Sequence, residues 1–232
     1  MNDLNQGFAE AWRMIVALDP DVVSAVRVSL SVSLWATLLA GLAGVPAGFI
    51  LGLKTFAGRN IISAVLHTLT GIPTVVVGLV GYMMLTAHGP LGSFQLLYTQ
   101  AGIVLGLFLL LLPLMTVLCM SATASIHAGV FETALTLGAT PVRAAAAVVR
   151  EGRFAYLTAV TTGFGRAIGE VGVAMMLGGN IRGFTRTMTT ALALETDKGK
   201  FGLALALGLV LLIIALCVNA SLHYLKSRAE KD

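Results

Sequence analysis

The sequence is poor in charged residues. Asp, Glu, Lys and Arg make up 11% of the 232 residues, and none of them occurs between residues 60 and 131. A soluble domain has roughly 25%, and together with a mean hydropathy of +0.90 this indicates a protein of the lipid bilayer. The formal charge is +4, but no run of Lys and Arg interleaves with aromatic residues. Nucleic-acid binding is therefore excluded.

Motifs for catalysis, metal binding and nucleotide binding are also missing. Cys119 and Cys217 lie in apolar runs without another Cys or a His at ligand spacing, so no metal site or disulfide framework is expected. No histidine has a nucleophile or paired carboxylates around it that would indicate an enzyme. No G-x-x-x-x-G-K-[ST] motif occurs, so the chain cannot cradle nucleotide phosphates in that way, and we expect no cofactor.

What the sequence does have is long apolar stretches, which predict an all-α membrane protein. A span needs about 20 apolar residues, because roughly 30 Å of hydrocarbon is crossed at about 1.5 Å per residue. Neither alternation nor turn spacing suggests barrel strands. Five stretches are long enough, at about 28–53, 61–85, 101–124, 154–178 and 201–224.

The N-terminal segment, residues 1–24, is expected to be amphipathic and to lie at the membrane surface. Asp3 and Glu10 stand where a signal peptide would have basic residues. Four apolar side chains share one face of a helix, namely Phe8, Trp12, Ile15 and Val16. The rest of the chain is expected to form a transmembrane domain, residues 25–224, and a cytoplasmic tail, residues 225–232.

Glycine and proline predict how the spans pack. Small residues at every fourth position let helix backbones approach closely, and two spans have them: Gly44, Gly48 and Gly52, then Gly165 and Gly169. Prolines interrupt the first three spans, at Pro46, Pro73 and Pro113. An odd number of spans leaves no inverted-repeat halves, which favours pairing with a second copy of the chain.

The polar segment 129–153, which we call the elbow, separates the third and fourth stretches. A short helical run is expected from Val130 to Leu137, ended by Gly138. Thr140 then reads as an N-cap and Pro141 as the first residue of the next helix. A stiff elbow can transmit a push from a docked partner to the spans on either side. The alternative is that it merely joins two spans.

Within the elbow, "ETALTLG" resembles the EAA loop of ABC-importer permeases, although Thr133 replaces the first Ala of that motif. The resemblance continues through "SLWATLLAGLAGVPAGFILGLKTFAGR", "GIPTVVVGLVGYMML" and "FGRAIGEVGVAMMLGGNIRGFTRTMTTALALETDKG". Taken together, these segments are similar to the permeases of tungstate importers, relatives of the molybdate and sulfate permeases.

The resemblance implies a type I ABC importer permease fold in the cell inner membrane. It implies a homodimeric permease, two ABC ATPase subunits that hydrolyse ATP, and an extracytoplasmic substrate-binding protein that delivers the oxyanion. It also implies that the elbow couples the permease to the ATPase, through residues at the motif and turn: Glu132, Thr133, Ala134, Gly138, Ala139, Thr140, Pro141 and Arg143. Alternatives are molybdate, sulfate or another solute as cargo, and an ATP-independent carrier or channel subunit.

Two further groups of polar residues are candidate sites. Arg166 and Glu170 are the charged residues inside a predicted span, at i and i+4 on one helix face. They are interpreted either as a structural ion pair or as part of the substrate path. A polar segment after the fourth span is expected to dock the binding protein or guide the anion, through Asn180, Arg182 and Arg186, although a plain solvated loop is the alternative.

Overall fold

The computed structural model describes the backbone of residues 2–229 and the side chains of residues 7–126, 129–221 and 224. In this part of the chain the regular elements are α-helices and one short 3-10 helix, Gly92–Phe94. The predicted all-helical fold is confirmed. The helices are α1 (Asn2–Val16), α2 (Pro20–Leu53), α3 (Arg59–Thr70), α4 (Thr74–Leu85), α5 (Gln100–Thr136), α6 (Pro141–Ile168), α7 (Gly172–Gly178), α8 (Met188–Asp197) and α9 (Phe201–Ala229).

Three helices in the described part of the chain are long and apolar enough to cross a bilayer. They are α2, the Gln100–Ile126 part of α5 and the Phe201–Ser221 part of α9; α3 and α4 together would make a fourth. The stretch at about 154–178 corresponds to the second half of α6 and to α7, with a break between Ile168 and Gly172. The number of five spans therefore stays a prediction.

Helices α2 and α5 run side by side in the same direction, and glycines set their separation. A Cβ atom added at Gly52 would lie 2.7 Å from the Met120 carbonyl oxygen, and one added at Gly48 would lie 2.9 Å from the Met120 backbone nitrogen. Only glycine fits such close backbone contact. The predicted packing of the first glycine stripe is confirmed, and it lies nearer to the end of the bundle that carries the elbow. We call this end the elbow end and the opposite one the far end.

The three prolines have different effects. Pro46 and Pro113 lie inside the continuous helices α2 and α5. Pro73 instead stands at the start of α4, after Gly71 ends α3, and the two helices meet at 97°. The second stretch is therefore a broken helix, whose second half packs on α7: a Cβ at Gly172 would lie 2.9 Å from Thr74 Oγ1.

Helix α1 packs against the first half of α9. Ala11 is fully buried, and Met14 and Ile15 join the same apolar cluster as Ala206 and Leu207. The other apolar side chains of the predicted surface face, Phe8, Trp12 and Val16, are exposed at 49, 66 and 65%. An amphipathic helix with an uncovered apolar stripe is suited to the membrane interface, but the interfacial position of α1 stays a prediction.

Candidate functional site

The turn of the elbow is a glycine C-cap. The Ala139 N–H donates to the Ala134 carbonyl oxygen and the Gly138 N–H to that of Leu135, both at 2.9 Å. This pair of hydrogen bonds is the Schellman motif, which ends a helix at a left-handed residue. Gly138 has a φ of +85°, a conformation that an L-residue adopts only at an energetic cost. The turn is therefore fixed by the local sequence.

The next helix begins as the sequence predicts. Thr140 Oγ1 accepts a hydrogen bond from the Arg143 N–H at 3.4 Å, and Pro141 occupies the first helical turn. The residues before the turn differ from the prediction, because the separate helix expected from Val130 is instead the last part of α5. The elbow is thus the end of α5 and the first part of α6, joined by four residues, 137–140.

The elbow presents an apolar tip. Leu137 is 82% exposed and Val142 is 79% exposed, while Glu132 and Arg143 are exposed beside them. Sequence analysis did not single out Leu137 and Val142, although apolar residues next to Gly138 and Pro141 were the available signal. The tip of the elbow is thus a pair of exposed apolar side chains with charged side chains beside it.

Behind the tip, α5 and α6 are held together closely. Tyr156 OH and Thr123 Oγ1 are 2.9 Å apart in a buried hydrogen bond between the two helices. Gly152 allows close approach, because a Cβ there would lie 3.1 Å from Ile126 Cδ1. Phe49 of α2 meets the Tyr156 ring edge to face, with ring centroids 6.4 Å apart. These contacts join α2, α5 and α6 behind the tip.

The predicted ion pair is present but unsymmetrical. Arg166 Nη2 lies 3.6 Å from Glu170 Oε2, and the Arg166 side chain is 48% exposed against 3% for Glu170. The buried carboxylate also accepts from the Val173 N–H at 3.3 Å, and the Glu170 carbonyl oxygen accepts from Thr189 Oγ1 at 2.7 Å. Glu170 thus caps α7, while half of the Arg166 side chain remains uncovered.

The α6 face around Arg166 is open in the single chain. A Cβ added at Gly165 would have no atom within 4 Å, and one at Gly169 would meet only its own helix, at the Gly165 carbonyl oxygen. Thr158 and Thr162 on this helix are exposed as well. The second glycine pair therefore does not pack against another helix within the described part of the chain.

At the far end, Asn180 and Arg186 bind each other rather than facing outward. Arg186 Nε donates to Asn180 Oδ1 at 3.2 Å, and Arg186 Nη1 lies 3.9 Å from Glu195 Oε1. Glu195 is buried and also pairs with Lys198 Nζ at 3.0 Å. Sequence analysis missed Glu195. The available signal was an acidic residue at the end of the apolar run of α8.

Arg182 is the exposed member of the predicted far-end group. Its Nε and Nη2 donate to the two carboxylate oxygens of Asp21 at 2.6 Å each, and its side chain is 70% exposed. The Asp21 carboxylate raises the pKa of the Arg182 guanidinium. The pair joins the start of α2 to the loop before α8. Its partners are 161 positions apart in the sequence, so no local pattern could predict this contact.

A metal site is not indicated by the geometry. Among the residues whose side chains are described, no three His, Cys, Asp or Glu side chains come together in a group that could hold a metal ion.

The sequence matches a known family. The model of the family described as "Binding-protein-dependent transport system inner membrane component" matches residues 44–231. The chain belongs to this family. It is therefore a non-catalytic permease subunit of an ABC transporter in the inner membrane, and a separate subunit hydrolyses ATP. The type I ABC importer permease fold implies an ATPase and a substrate-binding protein as partners.

Two relatives of this permease are similar over nearly their whole length. The tungstate uptake system permease protein TupB of Peptoclostridium acidaminophilum is 37% identical, covering 97% of this chain and 99% of the relative. TupB of Campylobacter jejuni is 40% identical, covering 95% of this chain and 92% of the relative. The family membership implied by the sequence motifs is thus confirmed.

A solved structure with the same fold is that of a bacterial alginate ABC transporter, in complex with a periplasmic protein bound to an alginate pentasaccharide. Its matching chain has a TM-score of 0.73 at 14% identity, covering 99% of this permease and 89% of that chain. At this identity the similarity establishes the fold.

Proposed function

We propose that this permease carries tungstate, or a similar tetrahedral oxyanion, across the inner membrane into the cytoplasm in an ATP-driven importer. The observation that supports this cargo is the identity of 37–40% to two tungstate uptake permeases along nearly the whole chain. The elbow supports the energy source, because its capped turn and apolar tip provide a defined surface for an ATPase subunit.

In this proposal the elbow end faces the cytoplasm, and the tip binds in a groove of the ATPase. Leu137 and Val142 supply the apolar contact, and Glu132 and Arg143 supply charges at its edge. Burying two side chains of this size contributes about 1.5–3 kcal/mol each. The buried contact between Thr123 and Tyr156 then transmits movement of the tip to α5 and α6.

The open α6 face supports pairing with a second copy. An Arg in hydrocarbon at a helix centre costs roughly 2.5–3.5 kcal/mol, whereas an i, i+4 ion pair returns only about 0.2–0.5 kcal/mol. The half-exposed Arg166 is therefore unsuited to lipid and must face protein or water. Gly165 and Gly169 on the same face would let a helix of the partner copy approach.

The translocation path is proposed to run along this face, between the two copies. Arg166 offers a planar guanidinium to a passing dianion, with a geometry suited to two oxygen atoms. Glu170 lies against it and competes for the same cation, which keeps the oxyanion weakly held. Weak binding is required, because a deep energy well would stop release.

The far end is proposed to receive the loaded binding protein. Arg182 is placed to contact it or to guide the anion, since its side chain is largely exposed and remains positively charged beside Asp21. Asn180 and Arg186 have an indirect part, in that their mutual hydrogen bonds shape the loop on which Arg182 lies.

Uptake by the reconstituted complex tests the proposed function. The permease, its ATPase and its binding protein are placed in proteoliposomes, with ATP enclosed and with binding protein and tungstate outside. We expect tungstate uptake that requires ATP and stops when vanadate is enclosed with it. Molybdate and sulfate are offered as competing cargoes. Uptake without ATP would show an ATP-independent carrier, and uptake of sulfate in preference to tungstate would show a different cargo.

A further inference from the structure

A groove lies along the far-end halves of α2 and α5. It consists of two adjoining cavities. The first has a volume of about 640 Å³ and a mixed lining, in which four polar side chains lie among apolar ones such as Leu18 and Val23: Ser24, Arg27, Ser31 and Gln100. The second has a volume of about 650 Å³, shares Ser31 and Gln100, and is otherwise almost wholly apolar. The groove thus has a polar end and a long apolar end.

The apolar part is built from matched stripes on the two helices. Val32, Trp35 and Leu39 line it from α2, and Val104 and Phe108 line it from α5, each at helical spacing. The glycines that let α2 and α5 come closest together lie toward the elbow end. The two helices are therefore less closely packed toward the far end, where the groove lies. Toward the far end larger residues, such as Val28 and Leu107, fill the contact between them.

The dimensions agree with one leaflet of a bilayer. Helix α2 has 34 residues and is about 51 Å long, so its first turns extend beyond the roughly 30 Å of hydrocarbon. Arg27 lies about 10 Å from the start of α2, which is the depth of the headgroups when the hydrocarbon covers the middle of that helix. From Ser31 to Leu39 the groove continues for about 12 Å, close to the roughly 15 Å of half a bilayer.

Arg27 supplies a charge that fits a phosphate. It is exposed, and among the described residues no carboxylate lies within ion-pair distance of it. Both carboxylate oxygens of the nearby Asp21 already accept hydrogen bonds from Arg182. Ser24 and Ser31 add hydroxyl groups one turn to either side of Arg27. Gln100 is held in place by donating to the Phe184 carbonyl oxygen at 2.7 Å.

We propose that this groove binds a phospholipid with an anionic headgroup. Its phosphate is bound by Arg27 and the two serines, and one acyl chain lies between Trp35 and Phe108. A free oxyanion is a poorer occupant, because it would leave the apolar length of the groove uncovered. The open α6 face does not border the groove, so pairing of two copies through that face leaves it accessible to lipid.

Native mass spectrometry of the purified permease complex tests this proposal. The complex is reconstituted in nanodiscs of equal parts phosphatidylglycerol and phosphatidylethanolamine, then released, and the retained lipid is counted. We expect phosphatidylglycerol to be retained in preference. Arg27→Gln should lower its retention at least about tenfold, because it removes a hydrogen bond between charged groups, which contributes about 1.5–3 kcal/mol. Ala101→Trp, which fills the groove at an exposed position of α5, should also lower it.

Arg13→Gln is the matched control, since Arg13 is an exposed cation of α1 that does not line the groove; its lipid retention should equal that of the parent. Retention at the parental level in both Arg27→Gln and Ala101→Trp would overturn the proposal. So would a loss of tungstate uptake in Arg27→Gln with lipid retention unchanged, because Arg27 would then serve the cargo.

Discussion

Replacing Arg166 by alanine is expected to lower ATP-dependent oxyanion uptake at least about tenfold, with the affinity of the binding protein for its oxyanion unchanged. A hydrogen bond between charged groups is worth about 1.5–3 kcal/mol, and the half-exposed Arg166 is the cation placed to make one along the open α6 face. The measurement is initial uptake rate in proteoliposomes, together with thermal unfolding of the permease complex in detergent.

Unfolding separates this role from a structural one. Glu170 keeps its hydrogen bond from the Val173 N–H when the Arg166 side chain is removed, so the unfolding temperature should change little. Arg13→Ala, which removes an exposed cation of α1 away from this face, is the matched control and should transport normally. Normal uptake by a stably folded Arg166→Ala permease would contradict a role in the path. A large fall in unfolding temperature would assign Arg166 to holding the fold.

Replacing Gly138 by valine is expected to lower uptake about tenfold by displacing the elbow turn. Gly138 has a φ of +85°, and an L-residue in a left-handed conformation costs roughly 1–2 kcal/mol, with β-branched residues worst. The chain would relieve that strain by shifting the turn, which carries Leu137 away from its proposed position on the ATPase. The measurement is uptake together with ATP hydrolysis by the whole complex.

Gly129→Val is the matched control, because Gly129 lies in the same part of the chain but in regular helix, with no atom within 4 Å of an added Cβ. This variant should transport at the parental rate. Equal rates for the Gly138→Val and Gly129→Val permeases would mean that the geometry of the turn is unimportant for coupling.

Local signals predicted the elbow turn. The left-handed glycine and the threonine cap need only a few neighbouring residues, so Gly138, Thr140 and Pro141 could be assigned from the sequence. The length of α5 could not be assigned from the sequence. Gly129 looked like the start of a new helix, but α5 continues through it to Thr136. A single glycine in a helix interior costs only about 1 kcal/mol relative to alanine, so it lowers the helix propensity without ending the helix.

The effect of each proline could not be predicted from the sequence either. Pro73 breaks a helix, while Pro46 and Pro113 do not. The difference lies in the context: Gly71 lets α3 end, and α7 then packs on the start of α4. Contacts between distant segments were equally out of reach. The i, i+4 spacing indicated that Arg166 and Glu170 would pair, but their unequal burial depends on α7 and α8.

The most direct test of the coupling role asks which side of the membrane the elbow tip faces and what covers it. Leu137→Cys is made in a chain that lacks Cys217, since Cys119 is buried, and is labelled with a membrane-impermeant maleimide. Phe94→Cys, at an exposed far-end position, serves as the opposite marker. We predict that Leu137→Cys is labelled only from the cytoplasmic side and only when the ATPase is absent, whereas Phe94→Cys is labelled from outside. Labelling of Leu137→Cys from outside, or equal labelling with and without the ATPase, would contradict the account.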